Sequence, residues 1–227
     1  MSVFETIKKR HSTRSYHKEP LDKETREQIL AICSNVDPFE GLKLVWQVED
    51  DDKATGMIYA VKGSDDKKEL VRYGFEGEQI ILKLTDKGYQ TLWKALNTGE
   101  HTPAIIRFGK GKKKSFVDGF TKMAVGSGRR KPLETFTDKA PENLSKTAKR
   151  CFEAARLAPS GINRQPWFFK EEDNALVVGV TKKAEINAID LGIVLSHVYL
   201  MLKEMGVAFE FEMADDFSGR FKLKLTE

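Results

Sequence analysis

Three stretches of the chain combine residue types that can do chemistry. The first is Arg10-His11-Ser12-Thr13-Arg14-Ser15-Tyr16. If the backbone is extended there, Arg10, Ser12 and Arg14 point to one side, because side chains alternate along an extended chain. Two guanidiniums and a hydroxyl on one side make a receptor for a phosphomonoester, which arginine binds through paired, charge-assisted hydrogen bonds. The bland alternative is a solvated basic cluster at a helix end.

The second stretch is Ala158-Pro159-Ser160-Gly161-Ile162-Asn163-Arg164-Gln165-Pro166-Trp167. Pro159 restricts the backbone and Gly161 frees it. Ser160, Asn163 and Gln165 offer neutral donors and acceptors that suit a heterocycle with several ring heteroatoms, although a helix stop followed by a tight turn would use the same residues. The third is 126–133, where Arg129 and Arg130 follow small residues and precede Pro132. It lacks the spacing of a nucleotide-binding P-loop, and the chain has no GxGxxG between a strand and a helix.

The elements that must position these stretches follow from hydrophobic period and punctuation. Short helices are expected over Val3–Lys9 and Asp22–Ser34, the second with Asp22 as N-cap. Strands are expected at Leu42–Val48 and Met57–Val61. A long helix over Phe75–Leu96, interrupted at Gly88, precedes a strand at Ala104–Phe108. From Ala140 the order begins again: a helix over Leu144–Leu157, strands Trp167–Lys170 and Ala175–Val180, a long helix over Lys182–Met205 stopped by Gly206, then strands at Val207–Met213 and Phe221–Leu225. The two parts, 1–139 and 140–227, share an architecture with little residue identity. Both long helices are apolar on more than one side and belong in the interior. The expected class is α+β, two pseudo-symmetric halves around a central layer of long helices.

Composition closes off other classes. With 227 residues, 40% hydrophobic, and a formal charge of only +4, the chain can bury a substantial core and has no strong basic bias. Nucleic acid is not an expected partner, since Lys110–Lys114 reads as a solvated loop. Cys33 and Cys151 have neither CxxC spacing nor a histidine array, so they read as buried apolar residues and no metal is expected. His197 reads as a satisfied core residue, and Asp190 and Gly192 as serving helix packing and a buried hydrogen bond. The most apolar segment, Ala188–Met205, is interrupted by Asp190, Lys203 and Glu204 and is no membrane span. A cytoplasmic location is the expectation.

Together the three stretches resemble the FMN-dependent nitroreductase family. Arg10-His11-Ser12-Thr13-Arg14 is similar to the family's opening phosphate motif, and Pro159-Ser160-Gly161-Ile162-Asn163-Arg164-Gln165-Pro166-Trp167 to its PSxxNxQPW segment. Arg129-Arg130-Lys131-Pro132-Leu133 resembles the basic stretch near the family's C-terminus. The segment Lys87–Trp93, closing the first long helix, resembles the GLGTxW that leads to the flavin N5 edge. After Trp93 the family commonly has small residues; here Lys94, Ala95 and Leu96 follow. The resemblance implies FMN as cofactor, NADH or NADPH as electron donor, and a nitroaromatic or quinone-like acceptor reduced by ping-pong hydride transfer. It implies that Arg10, His11, Ser12, Arg14, Trp93, Lys94, Ala95, Arg129, Arg130, Pro159, Ser160, Gly161, Asn163 and Gln165 line the cofactor, which carries the chemistry in place of a catalytic side chain. Arg14 is the candidate cation for the flavin's N1/O2 edge. A flavin-binding protein without turnover is the alternative, favoured by the departure at Lys94-Ala95-Leu96.

In an ordinary member two subunits build two sites at their interface. Here the first half carries the phosphate motif and the second carries PSxxN, so the half-motifs complement each other once. The resemblance is to a single-chain, pseudo-dimeric branch, and a monomer with one FMN is expected. At the opposite edge, Cys33–Phe39 is expected to face Asn143–Arg150.

Overall fold

The computed structural model describes residues 1–61, 63, 66–95, 102–112, 129–181, 186–214 and 218–224. Expectations for 96, 113–114, 126–128, 182–185 and 225 lie outside these residues.

Helix α1 (Val3–Lys9) opens on a capping box, in which the Ser2 hydroxyl accepts the Glu5 N–H and the Glu5 carboxylate accepts the Ser2 N–H. Helix α2 (Lys23–Ser34) starts after Asp22, whose carboxylate accepts the Thr25 N–H at 2.7 Å. Strands β1 (Trp46–Glu49) and β2 (Gly56–Ala60) form a hairpin. Helix α3 covers Lys67–Asp86, beginning earlier and ending earlier than its apolar residues alone predict. Gly88 does not interrupt this helix but ends it: at φ +90° it takes the left-handed conformation, and the Tyr89 N–H returns to the Leu84 carbonyl. The chain therefore leaves the helix before the Lys87–Trp93 segment is complete, and Gln90–Lys94 forms strand β3, paired antiparallel with β4 (Ile105–Gly109). The long-helix expectation failed because apolar strand residues directly follow an apolar helix face, and the period alone does not separate them.

Helix α4 (Lys146–Ala155), strands β5 (Trp167–Glu172) and β6 (Ala175–Val180), helix α5 (Ile186–Glu204) and strands β7 (Phe209–Met213) and β8 (Ser218–Leu223) repeat the pattern. The sheets have the same order, β1-β2-β4-β3 and β5-β6-β8-β7, and all their strand pairs are antiparallel. The fold is α+β with two like halves, as expected.

The repetition extends to particular glycines. Gly206 ends α5 at φ +67° as Gly88 ends α3. Gly74 and Gly192 lie at the same spacing before those stops, where α3 and α5 cross. A Cβ on Gly74 would stand 2.1 Å from the Ile189 carbonyl oxygen, and one on Gly192 would stand 1.9 Å from that of Val71. From that crossing the helices advance together, with Phe75 reaching Tyr199 and Glu78 reaching His197. Two apolar clusters flank the pair. One gathers Val48, Ile58 and Ile106 of the first sheet with Ile80 of α3, and the other gathers Phe169, Val178 and Phe221 of the second sheet with Phe152 of α4. Cys33 and Cys151 are buried, with burial pushing each thiol up to about 12, so neither is poised to react. Among the described residues no helix is long and apolar enough to cross a membrane.

Candidate functional site

Arg10 caps the C-terminus of α1, and beyond it the chain runs extended beside β3. Ser12 bridges to Thr91, the Thr13 N–H donates to the Thr91 carbonyl at 2.9 Å, and the Thr13 hydroxyl bonds Gln90 Oε1. The expected extension is present. Thr13 is buried, whereas Ser12 and Arg14 are half-buried. His11 is exposed, with Nδ1 3.1 Å from the Lys9 carbonyl.

Arg10 itself turns inward and is buried. Its Nε lies 3.8 Å from Oε1 of Glu78, too far for a hydrogen bond, and has no hydrogen-bond partner among the described residues. Burial holds the guanidinium below its ordinary value, and the Glu78 charge partly opposes that. Glu78 is itself fully buried on α3. Its other oxygen, Oε2, accepts the indole N–H of Trp93 at 2.8 Å, so β3 and the end of α1 converge on one carboxylate.

The second half meets this point twice. His197 on α5 places Nε2 3.2 Å from Glu78 Oε1 and Nδ1 2.8 Å from the Ala154 carbonyl oxygen. A carbonyl only accepts, so Nδ1 is the donor to Ala154, and Nε2 faces the Glu78 carboxylate. His197 is thus a satisfied core residue, as expected. Glu78, its partner, went unpredicted, since a glutamate inside a helix reads as solvated surface. The available signal was a polar run, Glu76-Gly77-Glu78-Gln79, in a helix whose flanking turns are apolar.

The other contact comes through Arg130, which is half-buried. Its Nη1 donates to the side-chain oxygen of Asn163. Its guanidinium is pushed down to about 10, first by burial and next by the positive charge of Arg10. Arg129 is exposed and joins by its backbone, its carbonyl accepting from Asn163 Nδ2 at 3.0 Å and Gln165 Nε2 at 3.1 Å. The Lys131 N–H completes the seam on Gln165 Oε1 at 3.0 Å.

The loop after α4 is held in a conformation its residues do not favour. Ile162 (φ +46°), Asn163 (φ +56°) and Gln165 (φ +53°) are all left-handed, each costing of order 1 kcal/mol or more. Four anchors sustain it. Pro159 is buried, the Ser160 hydroxyl accepts the Gln165 N–H at 2.9 Å, and the Arg129 carbonyl ties Asn163 and Gln165 together. The fourth is Asp190, whose carboxylate accepts the Gly161 N–H at 2.9 and 3.2 Å. Burial pushes Asp190 up to about 7, against that hydrogen bond and the charge of Arg164.

The structure therefore brings Arg10, Trp93, Arg130, Asn163 and Gln165 to one junction, with Ser12 and Arg14 on the adjoining segment. It does not bring Lys94 there. Alternation along β3 puts Lys94 on the opposite face from Trp93, lining an open cleft of about 410 Å³ with Asp51, Met57, Tyr59 and Arg107. Ala95 is exposed just past the strand.

At the opposite edge no hydrogen bond, ion pair or ring contact joins Cys33–Phe39 to Asn143–Arg150 among the described residues; Arg150 lies over the Phe4 ring of α1. Phe39 is instead packed between Phe75 and Phe211, with ring centroids 5.2 and 5.4 Å away. Phe211 occupies in β7 the place that Trp93 occupies in β3, at the same spacing from the glycine that ends the preceding helix. Around it Asp37 pairs with Lys203 at 2.9 Å. Aromatic side chains fill this edge, where the first has arginines.

A family model described as "Putative TM nitroreductase" matches residues 2–202. The fold resembles the crystal structure of a "putative nitroreductase" from Thermotoga maritima MSB8, with a TM-score of 0.81 and 30% identity over 98% of this chain and 94% of that one. Weaker likenesses include a "putative nitroreductase in complex with FMN" from Exiguobacterium sibiricum (TM-score 0.46, 13% identity, 62% of this chain and 98% of that one). Another is an FMN-dependent nitroreductase of Clostridium difficile (TM-score 0.42, 16% identity, 48% and 88%). No curated protein matches the sequence. With a matching model over most of its length and a shared whole-chain fold, the protein belongs to the nitroreductase family.

Proposed function

We propose that the junction of Arg10, Arg130 and the Pro159–Gln165 loop binds FMN, and that the protein is an NADH- or NADPH-dependent oxidoreductase. The observation that carries this reading is Arg10, buried with its Nε unpartnered among the described residues and 3.8 Å from Glu78, together with the half-buried Arg130, whose guanidinium the charge of Arg10 helps to push down. Two interacting like charges and an orphaned donor are costly alone and are offset by an anion. A largely dianionic phosphomonoester supplies both the charge and the acceptor oxygens.

In this reading Arg10, Ser12 and Arg130 hold the phosphate, and Arg14 faces the pyrimidine edge of the ring system. Ser160, Gly161, Asn163 and Gln165 form the wall, and Trp93 fixes the other border through Glu78. Bound FMN supplies two-electron transfer from a nicotinamide to a nitroaromatic or quinone-like acceptor. The protein's share is placement, charge and the exclusion of water. Residues 1–139 and 140–227 act as the two subunits of an ordinary member do, in a monomer with one flavin.

Anaerobic mixing of the FMN-loaded protein with NADH or NADPH tests the enzymatic part. Rapid bleaching of the flavin is expected with at least one of them. A flavin that stays oxidised with both would leave a binding protein without turnover, the reading favoured by Lys94 and Leu96 standing where the family commonly has small residues.

A further inference from the structure

We infer that Glu78 is the positioning residue of this site, a buried counter-ion that keeps Arg10 turned inward and ties it to Trp93. The inference rests on the FMN reading above but concerns a residue outside the family's motifs.

Glu78 is 0% exposed and both of its oxygens are engaged. Oε1 faces Arg10 at 3.8 Å and His197 at 3.2 Å, while Oε2 takes the Trp93 indole N–H at 2.8 Å. One carboxylate thus joins α1, β3 and α5, elements from both halves, at the point where phosphate and ring ends of the ligand would meet. Its place in the repeat shows what it adds. Ser196 stands on α5 where Glu78 stands on α3, at the same spacing after the crossing glycine. Ser196 is fully buried, and its hydroxyl has no partner among the described residues. The edge with Glu78 holds a buried arginine, whereas the other edge is filled by Phe39 and Phe211. The asymmetry of charge therefore begins on the helix and not in the loops.

Without Glu78, Arg10 would be a buried cation without its facing carboxylate and within electrostatic reach of Arg130. Burial already disfavours the charged form of both. The guanidinium would be driven toward solvent and away from its binding position. In Glu78→Gln the amide oxygen can still accept the Trp93 indole N–H, and the Pro159–Gln165 loop supplies the rest of the ring end, so the loss would fall chiefly on the phosphate end of the ligand.

The test compares FMN with riboflavin, the same ring system without phosphate, by quenching of flavin fluorescence in apo protein. Glu78→Gln should weaken FMN at least tenfold while changing riboflavin less than twofold. Glu78→Asp, which keeps the charge on a shorter stem, should recover part of the loss. In an Arg10→Gln background, Glu78→Gln should change FMN affinity less than twofold, because the residue it positions is gone. That double variant removes both charges together and so remains informative if Glu78→Gln alone fails to fold. Equal weakening of both flavins would make Glu78 a general structural residue, and tighter FMN binding would make it a mere repulsive charge; either overturns the inference. If the unmodified protein binds neither flavin, the FMN reading fails first. If it binds FMN and Glu78→Gln binds it equally, only the role of Glu78 fails.

Discussion

Arg130 donates from Nη1 to the side-chain oxygen of Asn163, joining the basic stretch that closes the first half to the strained loop of the second. Its neighbour Arg129 is exposed and contributes only a carbonyl oxygen. Two adjacent arginines therefore have different roles. Arg130→Ala should weaken FMN binding by ~1.5–3 kcal/mol, the worth of a charge-assisted hydrogen bond. Arg129→Ala should stay within ~0.5 kcal/mol, as should the control Lys112→Ala. Fluorescence titration of the apo proteins measures all three, and equal losses at 129 and 130 would contradict the assignment.

That distinction was not legible in the sequence, where Arg129 and Arg130 were equivalent candidates. The extended course of Arg10–Tyr16, the stop at Gly206, the buried roles of Asp190 and His197 and the α+β class were legible, because each depends on local chemistry or period. The end of α3 was not, since Leu92 and Trp93 continue the apolar pattern of the helix into an adjoining strand. Glu78 was missed for a related reason. Its burial is decided by Arg10, Trp93 and His197, which come from three other elements. The contents of the opposite edge also escaped, because Phe39 and Phe211 meet only in the folded chain.

The crossing of α3 and α5 depends on two residues without side chains. Gly192→Ala would drive a methyl group into the Val71 carbonyl, and Gly74→Ala would do the same at Ile189. Each should cost ~1–3 kcal/mol or more as overpacking against backbone, read as a melting temperature several degrees lower. Unchanged melting would mean that the helices do not meet there.

Asp190 makes stability depend on pH. Unfolded, its carboxyl loses the proton near 3.8; folded, it does so at about 7. The folded chain holds the extra proton between those values, so this residue's contribution falls as pH rises through that window, by an amount of order a few kcal/mol. Asp190→Asn removes the dependence and keeps an oxygen for the Gly161 N–H. Melting curves from pH 4 to 8 should show the variant gaining on the unmodified protein as pH rises. A difference that does not change with pH would contradict the buried carboxyl.

Stoichiometry follows from the two edges. With Phe39 and Phe211 in contact, Lys203 paired with Asp37 and no buried arginine there among the described residues, the second edge is a poor receptor for a phosphate. Flavin absorbance against protein concentration should give one FMN per chain, and light scattering a monomer. Two flavins per chain would contradict the filled edge, and a tight dimer would contradict fusion in place of dimerisation.

If FMN binds at the junction of Arg10, Arg130 and the Pro159–Gln165 loop, its affinity must depend on Arg10. Titration of apo protein with FMN, unmodified and as Arg10→Ala, followed by flavin fluorescence, measures that dependence. The unmodified protein should bind FMN saturably, and the variant should lose ~1.5–3 kcal/mol, roughly tenfold to more than a hundredfold in affinity. Failure of the unmodified protein to bind FMN, or equal affinity in the two, would contradict binding at this junction.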